Sequence, residues 1–151
     1  MLLDNQLFLT IVRNTPLISI DLIIENDSQE ILLGKRNNRP ARGFWFVPGG
    51  RVQKNESLDD AFLRLSQNEI GLSFKRRDAE FVGVYEHFYT DSFLSDESST
   101  HYVVLAYKII VLAQNLSFPT EQHSEYCWLS KNTLITDDLV HSNTKAYFIK
   151  D

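Results

Sequence analysis

Residues 50–72 read GRVQKNESLDDAFLRLSQNEIGL, and this stretch predicts a loop followed by one short amphipathic helix. Ser57 and Asp60 stand three residues apart and resemble a helix capping box, so the helix should begin at Leu58. Gly71 suits the left-handed conformation that ends a helix. Apolar residues between these two limits recur at helical spacing and predict one buried face: Leu58, Ala61, Phe62 and Leu65.

Glu69 follows Leu65 by four residues and therefore lies at the edge of this apolar face. A carboxylate in that position is unfavourable unless it is solvated, paired or bound to a metal ion. A single glutamate in the last turn of a helix is most simply a solvated residue. The spacing of its neighbours favours a metal ligand instead.

That spacing resembles the Nudix box, G-x5-E-x7-R-E-U-x-E-E-x-G-U with U apolar. Two family carboxylates are replaced, one by Leu65 and one by Asn68, which leaves a single carboxylate on the metal side of the helix. The Nudix family hydrolyses nucleoside diphosphates linked to another group and uses a divalent metal. The positions that match the box are Gly50, Glu56, Arg64, Glu69 and Gly71.

Length and composition predict one enzyme domain over residues 1–151. Hydrophobic residues make up 43% of the chain, with ten phenylalanines and two tryptophans, which excludes a disordered protein. No apolar run reaches the roughly 18 residues of a membrane span, and the amino terminus lacks a signal-peptide pattern, so we expect a cytoplasmic protein. The single Cys127 predicts a buried strand residue rather than a nucleophile.

Charge is distributed unevenly. The net charge of -5 argues against binding of nucleic acid, yet residues 35–54 hold six basic side chains and no acidic one. A local positive field in an acidic protein suits a small anionic ligand, while a solvated basic hairpin explains the charge equally well. The basic residues are Lys35, Arg36, Arg39, Arg42, Arg51 and Lys54.

The order of predicted elements is mixed and implies an α/β sandwich, of the Nudix α/β/α type, in which the box helix packs on a mixed sheet. Strands are expected over residues 17–25, 30–34, 45–47, 81–88, 101–112 and 126–129, and a short helix over 131–135. Residues 48–50 read PGG and predict a turn where backbone approaches a ligand. Residues 89–100 and 115–125 are polar and predict loops.

Over most of its length the chain resembles one branch of this family, the GDP-mannose mannosyl hydrolases. The segments that carry the resemblance are TPL (15–17), LGKR (33–36), NRPA (38–41), WFVPGGRVQK (45–54), THYVVL (100–105), EQH (121–123) and AYF (146–148). The branch breaks the bond between the anomeric carbon of the sugar and the phosphate oxygen, and releases GDP and an inverted free hexose. The resemblance implies a homodimer that acts on a small nucleotide sugar, without nucleic acid or membrane partners.

The same resemblance implies one Mg²⁺ per subunit, bound by the Gly49 carbonyl, the Glu69 carboxylate and the Gln122 side-chain oxygen. A hard cation of this kind accepts oxygen ligands and keeps several waters, so one carboxylate suffices when substrate phosphates complete the shell. His123, in the loop beside Gln122, would be the general base. Arg36 would contact the substrate, and Asp21 and Tyr102 would line the site of the sugar and the phosphates. Asp21 and Tyr102 are also explained as strand residues that face a polar pocket.

Further candidates for substrate binding are Arg36, Arg51 and Arg64 together with Leu2, Leu3 and Phe8. Arg64 is equally well explained as a structural partner of Glu56. The three apolar residues are equally well explained as part of a dimer interface. His87, His101 and His141 are attributed to strand and helix positions without a catalytic role.

Two other functions remain open from the sequence. An ordinary Nudix pyrophosphatase would attack phosphorus and release GMP and a sugar phosphate. A catalytically silent domain would only bind a nucleotide sugar. Loss of the box carboxylates and the presence of Gln122 and His123 argue against the pyrophosphatase. Retention of Glu69, Gln122 and His123 together argues against the silent domain.

Overall fold

A computed structural model describes residues 3–92, 95, 97–112, 116 and 123–149, and for residues 123 and 124 it describes the backbone only. Within these ranges the chain forms seven strands and four α-helices. They are α1 (Asn5–Asn14), β1 (Leu17–Glu25), β2 (Glu30–Arg36), β3 (Trp45–Phe46), β4 (Gly49–Arg51), α2 (Leu58–Ile70), β5 (Glu80–Tyr89), β6 (Thr100–Ile110), β7 (His123–Ser130), α3 (Lys131–Thr136) and α4 (Ser142–Lys145).

The strands form a mixed sheet in which β1 is central. β1 runs parallel to β6 along its whole length and antiparallel to β2 and β4. The order along the sheet is β3-β2-β1-β6-β5, with β4 paired to β1 and β7 paired to β2. β1 therefore joins both halves of the sheet and places its side chains near most of the other strands.

The helix predicted from residues 50–72 is α2. The Ser57 hydroxyl accepts a hydrogen bond from the Asp60 amide at 3.1 Å, as expected of an N-cap. Gly71 ends the helix with φ of 74°, a left-handed conformation that favours glycine. Both predicted limits of the helix are confirmed.

Two buried clusters cover the two faces of the sheet and confirm the α/β sandwich. Successive strand residues point to opposite faces, so Ile20, Leu22 and Ile24 pack under α2 with Phe62 and Leu65. On the other face Ile23 packs with Leu134 of α3 and with Val140, and Tyr147 and Phe148 border that cluster.

Several local predictions need correction. Residues 48–50 were expected to form a turn, but residues 49–51 form β4, because the extended backbone pairs with β1. Residues 123–125 were expected in a loop and instead begin β7, which pairs with β2. No element was expected before residue 17, but residues 5–14 form α1, whose N-cap is Asp4. Much of the predicted loop at residues 115–125 lies outside the described residues.

Cys127 lies in β7 as predicted but is only half-buried. Burial raises the pKa of its thiol to about 11, with Asp137 and Glu125 adding to the rise. The thiol therefore stays protonated and is a poor nucleophile. None of the described helices is long and apolar enough to cross a membrane.

Candidate active site

A cavity of about 510 Å³ opens beside β1 and β4. Its wall combines residues from α1, from β1 and β4, and from the ends of β2, β5 and β6. The Asp21 carboxyl and the arginines Arg36, Arg39 and Arg51 line the same space as the backbone of the glycine-rich strand. The lining residues that bear on chemistry are Asp21, Arg36, Gly49, Arg51, His87 and Tyr102.

The two glycines of β4 are required by packing. A Cβ atom on Gly49 would lie 2.4 Å from the Ile20 carbonyl oxygen and 2.6 Å from Asp21 Oδ1. A Cβ atom on Gly50 would lie 2.5 Å from Leu65 Cδ2 of α2. Real Cβ atoms do not come this close to other atoms, so β4 fits between β1 and α2 only because both residues lack a side chain.

Glu69, in the last turn of α2, is buried and only 5% exposed. The sequence left open that it is a solvated last-turn glutamate, and that alternative is wrong. Burial raises the pKa of its carboxyl from 4.5 to about 7, while Arg36 and Arg64 favour ionisation and Asp21 opposes it. Ionised Glu69 is therefore costly in the protein alone, and a bound cation would offset that cost.

Asp21 lies on β1 and faces the cavity. The Tyr147 hydroxyl donates a hydrogen bond to Asp21 Oδ2 at 2.5 Å. Burial raises the pKa of Asp21 to about 6, although Tyr147 and Arg36 both favour the ionised form. His87 Nε2 lies 3.3 Å from the same tyrosine hydroxyl. The carboxyl is thus held from behind by half-buried Tyr147, which in turn contacts buried His87.

Arg36 is the cation shared by this group. Its positive charge opposes the rise that burial causes in the pKa values of Asp21 and Glu69. Its guanidinium lies 5.1 Å from the centre of the Phe46 ring. Arg51 lies 5.3 Å from the centre of the Phe8 ring, which belongs to α1. Two arginines held against aromatic rings in one cavity suit an anionic ligand with several oxygens.

Arg64 has a structural partner, as one of its two interpretations predicted. Its Nε lies 2.7 Å from Glu56 Oε2, its terminal nitrogen lies 2.9 Å from Glu56 Oε1, and it also donates to the Arg51 carbonyl. Glu56 Oε1 in turn accepts from the Gln53 amide. Arg64 therefore fixes the loop before α2, and it is not among the described residues that line the cavity.

The other predicted site residues are brought together in part. Leu3 and Phe8 line the cavity beside Ser19, and Leu2 lies outside the described residues. Glu69 is buried beneath the site and is not among the lining residues. Gln122 also lies outside the described residues. The backbone of His123 begins β7 and is the register partner of Arg36, while its side chain is not described.

Sequence analysis missed three residues of the site. His87 and Tyr89 line the cavity, and Tyr147 supports it from behind. His87 and Tyr89 alternate on β5 and face the same side, which is a signal that could have paired them. Nothing in the sequence connects Tyr147 with Asp21, because 126 residues separate them.

The described residues contain no group of three or more histidine, cysteine, aspartate or glutamate side chains that could hold a metal ion. A hard cation bound here would therefore take most of its ligands from carbonyl, amide, phosphate and water oxygens. Glu69 with the nearby Gly49 backbone fits such a sparse site.

Comparison with known proteins identifies the family. The family model described as NUDIX domain matches residues 15–151. The chain is 44% identical over 115 residues to low-salt glycan biosynthesis protein Agl8 of Haloferax volcanii, which is 76% of this chain and 71% of that protein. It is 40% identical over 70 residues to ADP-ribose pyrophosphatase of Methanocaldococcus jannaschii, which is 46% of this chain and 40% of that protein.

Solved structures with a similar fold include proteins of the same family name. The MutT protein from Methanosarcina mazei Go1 matches with a TM-score of 0.73 at 24% identity, over 89% of this chain and 92% of that one. The chain therefore belongs to the NUDIX family and is a hydrolase of that family. NUDIX hydrolases generally use a divalent metal such as Mg²⁺ and act on small nucleotide substrates.

The buried carboxyl of Glu69 predicts a specific dependence of stability on pH. Folded Glu69 keeps its proton to about pH 7, whereas unfolded glutamate loses it near pH 4.5. The folded chain therefore binds more protons between these values, and its free energy of unfolding should fall as pH rises through this range. Glu69→Gln should remove up to about 3 kcal/mol of this fall.

Urea denaturation in chelator at pH 4.5 and pH 8 measures this difference. The exposed Glu80 on β5 provides the matched control, because Glu80→Gln should leave the wild-type slope unchanged. Equal pH dependence in wild type and Glu69→Gln would show that Glu69 is solvated in the folded protein.

Proposed function

We propose that this protein hydrolyses GDP-mannose, and GDP-glucose as well, to GDP and the free hexose. Water would attack the anomeric carbon on the face opposite the leaving group, the bond from carbon to phosphate oxygen would break, and the configuration would invert. The observation that carries the proposal is the position of Leu65. This residue stands where the Nudix box has a carboxylate, and it is 3% exposed and packed in the core.

The depleted helix changes where water can be activated. Asn68, at the position of another box carboxylate, is exposed, so Glu69 is the only carboxylate that α2 keeps at these positions. Few groups near a bound metal then remain to activate water against phosphorus. A base outside the helix is needed, and the anomeric carbon is a target that such a base can serve.

Mg²⁺ would be held by the Gly49 carbonyl, Glu69 and Gln122, and when bound it would neutralise charge on the diphosphate. The high pKa of Glu69 supports this, since a cation would favour its ionised form. Gly49 supports it as well, because it lines the cavity and has only backbone atoms to present there.

The diphosphate would lie against the arginines of the cavity. Arg36, Arg39 and Arg51 line it, and each guanidinium can donate to phosphate oxygens. Leu3 and Phe8 would contact the nucleotide from α1 and the residues before it. GDP leaves as an anion that these groups and the metal neutralise, so a strong general acid is not required.

His123 would take the proton from the attacking water. Its backbone begins β7 opposite Arg36, which supports a position at the edge of the cavity. Asp21 and Tyr102 would contact the sugar and phosphates from β1 and β6. The expected cytoplasmic location stays a prediction.

The main rival is a pyrophosphatase that makes GMP and mannose 1-phosphate. The relative from Methanocaldococcus jannaschii carries the name of such an activity. The more extensive match is to a protein named for glycan biosynthesis, which supports a substrate that contains a sugar. A silent binding domain is the second rival, and the retained Glu69 argues against it.

Product analysis separates these functions. The protein with Mg²⁺ and GDP-mannose in water enriched in heavy oxygen should release GDP and free mannose, with the label on the mannose. Phosphate-containing products should remain unlabelled, since the phosphorus is not attacked. Mass spectrometry of both products measures the position of the label.

Release of GMP and mannose 1-phosphate would assign the protein to the pyrophosphatases. Saturable binding of GDP-mannose without turnover would assign it to silent binding domains. Either result would overturn the proposed function.

Replacement of His123 tests the base. His123→Ala should lower kcat roughly 10²- to 10⁴-fold, the usual contribution of general acid-base catalysis, while the affinity for GDP changes little. The wild-type rate should rise with pH to a plateau as the histidine deprotonates. Steady-state kinetics across pH measures both effects.

His101 provides the control for this substitution. It stacks on Phe88 at 4.4 Å, and His101→Gln should leave kcat near the wild-type value. A His123→Ala variant that kept wild-type turnover and the same pH dependence would exclude His123 as the base.

The proposed homodimer is supported by exposed apolar side chains on the part of the sheet face that α2 does not cover. Ile18, Val84 and Phe88 share that face by strand register and are 50%, 60% and 63% exposed. β5 lies at the end of the strand order. Burial of these side chains against a second copy would remove apolar area from water.

Sedimentation of the intact chain should therefore give twice the monomer mass of 17.5 kDa. Phe88→Lys should shift the equilibrium to monomer, because it places a charge in the buried centre of the contact. Leu139→Lys is the matched control, since Leu139 is 54% exposed and lies outside this face. A wild-type monomer, or a dimer insensitive to Phe88→Lys, would contradict this assignment.

A further inference from the structure

The Tyr147 hydroxyl joins three elements that are distant in sequence. It donates to Asp21 Oδ2 on β1 at 2.5 Å, and it lies 3.3 Å from His87 Nε2 on β5. Tyr147 itself follows α4 near the carboxyl end of the chain. A single half-buried side chain therefore connects the last helical segment to the wall of the cavity.

The direction of these hydrogen bonds follows from the number of protons. A tyrosine hydroxyl carries one proton, and Tyr147 donates it in the 2.5 Å hydrogen bond to Asp21. The hydroxyl oxygen must then accept from His87, which requires the Nε2–H tautomer. Burial lowers the pKa of His87 to about 4, so the ring is neutral and has one N–H to donate.

The tyrosine is itself held firmly. Its ring meets Tyr85 edge-on with centroids 4.7 Å apart, and it borders the buried cluster under α3. Burial and the adjacent Asp21 carboxylate raise the pKa of Tyr147 far above its usual range, so it remains a donor. The position of the hydroxyl is thus set by packing and does not depend on substrate.

The bond to Tyr147 also determines which oxygen of Asp21 remains available. Oδ2 is occupied, and Oδ1 lies on the side of Gly49, where a Cβ atom on that glycine would come within 2.6 Å. Both Asp21 and Gly49 line the cavity. The carboxylate is therefore fixed with Oδ2 bound to Tyr147 and Oδ1 on the Gly49 side.

We propose that Tyr147 is a positioning residue that fixes Asp21 for the reaction, with His87 orienting the tyrosine hydroxyl. This inference rests on the proposed function for the role of Asp21 toward the sugar. It adds a residue from the carboxyl end of the chain whose effect on turnover passes through Asp21 alone.

The test is a double-mutant cycle on GDP release. Tyr147→Phe should lower kcat roughly 10- to 100-fold, the range for a hydrogen bond to a charged group, and change KM by less than about threefold. In the Asp21→Ala background the same substitution should have almost no effect, because Asp21 is no longer there to be positioned. Thermal unfolding of all four proteins measures whether each is folded.

Tyr85→Phe is the matched control, since it removes a neighbouring hydroxyl and keeps the bond from Tyr147 to Asp21. It should retain wild-type kcat. If Tyr147→Phe does not fold, His87 provides a second test: His87→Leu should lower kcat, and His87→Gln, which keeps a donor, should recover part of the loss.

Two results would overturn the inference: wild-type kcat in Tyr147→Phe, or an equal loss from Tyr147→Phe with and without Asp21. Failure of the proposed function is recognised separately, because the wild type would then release GMP or no product. In that case the inference fails together with the proposed function. If the wild type releases GDP normally and Tyr147→Phe causes the same loss with and without Asp21, only the inference fails.

Discussion

The contact between Leu65 and Gly50 is the constraint on which the site depends. Leu65 Cδ2 occupies the space that a Cβ atom on Gly50 would need, and Gly49 is pressed equally closely against Asp21 on β1. α2, β4 and β1 can therefore approach only through two consecutive glycines. That approach places Glu69 near enough to Asp21 for the Asp21 carboxylate to help raise the pKa of Glu69. A side chain at Gly49 would collide with the β1 backbone, and one at Gly50 would displace the Leu65 side chain of α2.

Burial of two carboxyl groups close together has an electrostatic consequence. Each has a raised pKa, and the cation that both share is Arg36. One arginine does not compensate both carboxylates. In the absence of a ligand, protonation of these carboxyl groups therefore stabilises the folded protein. A metal ion would replace those protons, and the negative charge of a substrate would be balanced by the metal ion and the arginines. The carboxyl groups and arginines of the site therefore suit a positive metal ion and a negative substrate, which fits a family of metal-dependent hydrolases acting on nucleotides.

The departures from the family pattern have structural explanations of different kinds. Leu65 replaces a carboxylate and contributes to the core, while Asn68 replaces another and faces solvent. Arg64 and Glu56 keep their family positions and hold the loop before α2 through paired hydrogen bonds. The box therefore retains the residues that shape the loop and loses most of those that could bind metal. This separation supports a reaction whose base lies outside the helix.

The sequence by itself determined the limits of α2, the strand β1 and the mixed α/β architecture, because capping, a left-handed glycine and apolar periodicity act over a few residues. It also indicated Asp21, Arg36 and Tyr102 through a family resemblance. It did not predict that residues 49–51 form a strand or that Glu69 is buried, and it left open whether Arg64 pairs with Glu56 or faces a ligand. Tyr147 and His87 reach Asp21 only when the carboxyl-terminal segment packs against the sheet. Such contacts join residues far apart in the chain, and only the tertiary structure decides them.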